Sequence, residues 1–201
     1  MCIRDRIKEQ LEFLESLGLC FHHSLTPELF EQNVRHLNWW DYLDPPFHTL
    51  LYAIRWMQDE LREEYRLSPK TLTLDFESYD RPTKYSDLAE EISEAAGSRQ
   101  HLYLMGEDMK VESDKQGIRT GDGWIEYKFQ KETFRHDHPY LGDWVCRRTF
   151  WEMALRFSSL DDGFQFYGTT DGQGVELHYM LISKRETVGD TLGMKPLNEL
   201  M

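Results

Sequence analysis

Gly123-Trp124-Ile125-Glu126-Tyr127-Lys128-Phe129, continuing into Gln130-Lys131-Glu132-Thr133-Phe134-Arg135-His136-Asp137-His138, is the stretch whose reading decides the fold. In an extended chain Ile125, Tyr127 and Phe129 fall on one face, and Trp124, Glu126 and Lys128 fall on the other. The polar turn at Gln130-Lys131-Glu132 leads into a second short strand over 134–138. Beyond Pro139 and Gly142 an apolar helix is predicted over 144–157, with Asp143 placed to cap it. Hairpin and helix together make the predicted folding core, which also holds the densest His/Asp grouping in the chain.

Upstream, Ile7, Leu11, Leu14 and Leu17 form one helical stripe that stops at Gly18. Thr26 and Pro27 give a second helix a cap and a first turn, and Leu25 is spaced to staple against Phe30. Phe30, Val34 and Leu37 would be its inner face, so 7–37 reads as a helical pair ahead of the sheet. Pro45-Pro46 makes the preceding aromatic segment a loop. Apolar spacing over 47–65 predicts a helix, with a strand over 49–54 and an acidic loop as the alternative. Alternation over 71–77 predicts a strand. A helix from Ser86 with the stripe Leu88, Ile92 and Ala95 ends at Gly97, and a short strand covers 101–105.

The glycine-rich, charged segment 106–123 reads as a mobile loop or ragged hairpin. Downstream of the central helix, 164–168 and 175–183 form a hairpin around Asp171-Gly172-Gln173-Gly174, with Val175, Leu177, Tyr179 and Leu181 inward and His178 outward. A short helix over 186–192 closes the chain. The expected class is α+β: an antiparallel or mixed sheet of about five strands built from hairpins, helices packed mainly on one face, and a helical N-terminal extension.

Met1-Cys2-Ile3-Arg4-Asp5-Arg6 back-translates to the end sequence of a transposon-based sequencing adapter, so residues 1–6 read as a processing scar and 7–201 as a single domain. The chain has 201 residues, a size that suits one domain, and a formal charge of −13. Such a field repels phosphate backbones, which argues against nucleic acid as a partner and for a basic protein. No run approaches the ~18 apolar residues of a membrane span. Outside the scar, Cys20 and Cys146 are far apart in sequence with no CxxC spacing, as expected of a reducing, cytoplasmic compartment.

Two groups of residues can carry metal chemistry. His136 and His138 lie two apart on a strand and so point the same way, with Asp143 or Cys146 as a further ligand. Asp75 and Glu77 are spaced in the same way on the strand over 71–77, where paired carboxylates can hold a divalent ion. Leu74-Asp75-Phe76-Glu77 resembles the first motif of DEDD-type exonucleases over those four residues, and the second and third acidic motifs do not follow. No P-loop, GxSxG or GxGxxG pattern is present.

A different chemistry is offered by Trp39, Trp40, Asp41, Tyr42 and Asp44, where large rings alternate with carboxylates in a pattern suited to a basic protein surface. In composition the chain is similar to bacterial immunity proteins. The favoured expectation is a non-enzymatic acidic interaction protein, immunity- or antitoxin-like, with no cofactor. The alternative is a metal-dependent hydrolase or nuclease working through Asp75 and Glu77, or through His136 and His138.

Overall fold

A computed structural model describes residues 3–37, 50–51, 53–54, 57, 67–76, 84–141, 145–160, 162–171 and 173–201. Helix α1 (Ile3–Ser16) starts ahead of the predicted position and buries Ile7, Leu11 and Leu14. It ends at Gly18, whose φ of +101° favours glycine. A Cβ there would also meet the Phe164 ring at 2.8 Å, so close packing adds a second demand for glycine. Helix α2 (Pro27–Leu37) follows the predicted start chemistry. The Thr26 hydroxyl accepts the Leu29 N–H at 3.1 Å, and Leu25 and Phe30 are buried in the same apolar cluster. The side chains of Val34 and Leu37 lie outside the described set. Residues 50, 51, 53, 54 and 57 are helical and buried, in keeping with the helical reading of that segment rather than the strand.

Described strands form two antiparallel sheets. One has the order β1–β6–β5–β7, from β1 (Thr71–Asp75), β5 (Phe164–Thr170), β6 (Gly174–Leu181) and β7 (Lys195–Pro196). The other is the meander of β2 (Leu102–Ser113), β3 (Arg119–Phe129) and β4 (Glu132–Pro139). The class is α+β, and its strands are divided between two sheets instead of joined in one of about five. Over 106–123 the chain takes the hairpin reading rather than the loop. Most of the segment is strand, paired from Gly106↔Glu126 to Ser113↔Arg119 after a bulge between Leu104 and Gly106. Its turn is fastened by Asp114, whose Oδ1 accepts the N–H groups of Gln116 and Ile118.

Helix α3 (Tyr85–Ala95) and helix α4 (Arg147–Phe157) pack with the inner faces of both sheets in one apolar cluster. Ile125 lies in it beside Tyr127 and Phe129, whose rings both meet Phe157, and Phe76 meets Phe150 edge-on at 5.4 Å. The N-terminal end of α3 has no cap from its own preceding side chain. Glu107 on β2 serves instead, accepting the Ser86 N–H at 3.0 Å and the Ser86 hydroxyl at 2.7 Å.

Asp143, the expected cap of helix α4, lies outside the described residues, and the helix begins later than expected with Cys146 at its cap position. The reason lies in long-range bonds. Val145 N–H donates to the Phe76 carbonyl at 3.1 Å and Cys146 N–H to the Tyr85 hydroxyl at 2.8 Å, which hold the chain extended before it can coil.

A second cluster covers the opposite face of the four-stranded sheet. It joins α1, α2, the helical residues 50, 51, 53, 54 and 57, Tyr167 of β5, Met180 of β6 and helix α5 (Arg185–Leu192). Every residue from Leu177 to Met180 is therefore buried, including His178, which was expected on an outer face.

Candidate functional site

Strand alternation places His136 and His138 on the inner face of the three-stranded sheet, as their spacing predicts, at 8% and 4% exposure. Each then meets different neighbours. His136 Nδ1 lies 2.8 Å from Glu152 Oε2 on α4, and its Nε2 lies 2.9 Å from the Tyr127 hydroxyl on β3. A carboxylate only accepts, so Nδ1 carries the proton, and in the neutral ring Nε2 accepts from Tyr127. Arg148 Nε donates to the other Glu152 oxygen at 2.9 Å, and this bond, with the bond from His136 behind it, holds the carboxyl below its usual range. Burial pushes the Tyr127 hydroxyl well above its ordinary value, so it remains a donor. The line Arg148–Glu152–His136–Tyr127 thus ties α4 to β4 and β3, with both His136 nitrogens in use.

His138 is stacked on Tyr85 at 3.9 Å between ring centroids, and its Nδ1 is buried with no well-formed hydrogen bond among the described residues. Loss of hydration lowers its pKa from 6.5, against the opposing pull of the Pro139 backbone, Glu107 and Asp137. The same burial pushes the Tyr85 phenol up to about 12. Gly123 makes room for this ring, since a Cβ there would stand 2.7 Å from His138 Cε1 and 2.8 Å from the Asp108 carbonyl oxygen. Asp143 lies outside the described residues. Among the described residues no group of three or more His, Cys, Asp or Glu side chains is arranged to hold a metal ion.

Asp75 ends β1 opposite Gly174, while Glu77 lies outside the described residues. At this end of the four-stranded sheet is a hollow of about 400 Å³. Its described lining carries the carboxylates of Asp75, Asp171 and Glu176, the hydroxyls of Thr73, Thr169 and Thr170, and no cationic side chain. Asp171 Oδ1 accepts the N–H groups of Gly174 and Gln173 at 2.8 and 2.9 Å, which depresses its pKa and keeps it ionised.

Glu176 Oε1 lies 3.1 Å from Nε2 of the fully buried His178, whose Nδ1 lies 3.0 Å from Thr71 Oγ1. Thr71 Oγ1 is in turn 2.8 Å from Ser68 Oγ. A hydrogen-bonded chain therefore runs from the hollow through the buried His178 to the half-buried Thr71 and Ser68. Sequence reading picked out Asp75 but missed Asp171 and Glu176, because a turn aspartate and an alternating strand glutamate become neighbours only through pairing of β1, β6 and β5.

The outer face of the three-stranded sheet is open among the described residues. Tyr103 is 69% exposed there, and the Arg135 guanidinium lies 4.4 Å from the centre of the Trp124 ring. Arg135 also pairs with Asp137 at 3.1 Å and Glu126 at 3.9 Å.

Trp39, Trp40, Asp41, Tyr42 and Asp44 lie outside the described residues. No described helix is long and apolar enough to cross a membrane. No family model matches the chain, and searches of the curated proteins and of the solved structures return no match.

Proposed function

We propose that the chain is a non-enzymatic interaction protein that binds a basic protein partner in the cytoplasm, in the manner of bacterial immunity proteins and antitoxins. The observation that carries this reading is the hollow beside Asp75, lined by three carboxylates and no described cation, in a chain of net charge −13. Opposed fields of this kind speed association and select the sign of the partner. The rings of Trp39, Trp40 and Tyr42 supply contact area of the sort that dominates binding hot spots, and Asp41 and Asp44 keep the local charge negative. Free thiols at Cys20 and Cys146 suit a reducing compartment.

The test has two stages. Immobilised protein is first used to capture basic proteins from native lysate at low salt, with an acidic protein of equal charge as control. The affinity of any purified partner is then measured for the wild type, Asp75→Lys and Trp39→Ala/Trp40→Ala between 50 and 300 mM salt. The expected result is a basic partner whose binding weakens with salt and with both variants. Enrichment no greater than the control, or an affinity indifferent to salt, refutes the proposal. A rise in melting temperature with zinc or manganese, absent in His136→Ala or Asp75→Asn, would instead favour the metal-dependent alternative.

A further inference from the structure

We draw no further inference here: the strongest candidate, the open outer face of the three-stranded sheet around Trp124, carries nothing because that ring already lies between Gly106 and Arg135, its carboxylates alternate with Lys110, Lys128 and Arg135, and nothing in the structure shows what covers it.

Discussion

Replacing Tyr127 with Phe removes one oxygen and changes little else, which makes it a clean probe of the buried line through His136. The lost bond spans 2.9 Å between Tyr127 Oη and His136 Nε2, and both side chains are buried. Phenylalanine keeps the ring contacts with Phe157 and Phe134, so the main cost is that of a buried imidazole nitrogen left without a partner, beside the loss of the hydroxyl's interaction with Arg156. That cost is about 1–3 kcal/mol. For a domain of this size it corresponds to a fall in melting temperature of roughly 2–12 °C.

A double-mutant cycle separates the bond from general disruption. His136→Phe removes the acceptor too, and Glu152 keeps its bond from Arg148 and its access to water. The double variant should therefore be less destabilised than the sum of the two single variants, by about 1 kcal/mol. Urea denaturation followed by circular dichroism at pH 7.5 gives all four stabilities. Additivity within error, with Tyr127→Phe costing less than about 0.3 kcal/mol, would refute the assignment of a buried hydrogen bond here.

Other outcomes follow from the same geometry. Burial depresses the His138 pKa, so below the ordinary value of 6.5 the unfolded chain takes up a proton that the folded ring refuses, and stability falls until the pH reaches the folded pKa. The contribution is at most about 1.4 kcal/mol per pH unit, and a His138→Gln variant should show a flatter urea midpoint between pH 7.5 and 5.5; an unchanged slope would count against it. At Gly168 a Cβ would run into the Glu176 carbonyl oxygen, and Gly168→Ala should destabilise by about 3 kcal/mol or more, or fail to yield folded protein. Gly189 sits in α5, where a Cβ would make only an ordinary contact with the Met194 carbonyl oxygen at 4.0 Å, and Gly189→Ala should stabilise by about 0.5–1 kcal/mol. Deleting residues 1–6 removes the Arg4 pairs with the half-exposed Glu28 at 3.7 Å and with the buried Glu31, and should cost about 1–3 kcal/mol as read by the melting temperature, most of it from the Glu31 side.

What could be read ahead of the structure was local. The Thr26 cap, the Gly18 stop and the inward face of Ile125, Tyr127 and Phe129 depend on neighbours within a few residues, and each stands as its spacing implies. Over 106–123 loop and hairpin could not be told apart because β2 and β3 are largely exposed on both faces near their shared turn, so no apolar alternation marks them. His178 was placed outside because alternation names two faces without saying what covers the second. That cover comes mostly from helices far away in sequence, α1 and α2 among them.

The same limit applies to the histidine pair. Strand geometry brings His136 and His138 to one side, but only tertiary packing gives the first to Tyr127 and Glu152 and the second to Tyr85. The carboxylates beside Asp75 meet through strand pairing that no local pattern encodes.

Strand β6 lies between two neighbouring strands in its sheet and between two apolar clusters above and below it. Undocking of the N-terminal helices would bare one side of it yet leave its ladder bonds and its other side intact. Its amide hydrogens should consequently exchange with deuterated solvent only when the whole molecule opens, long after those of α1 have been replaced.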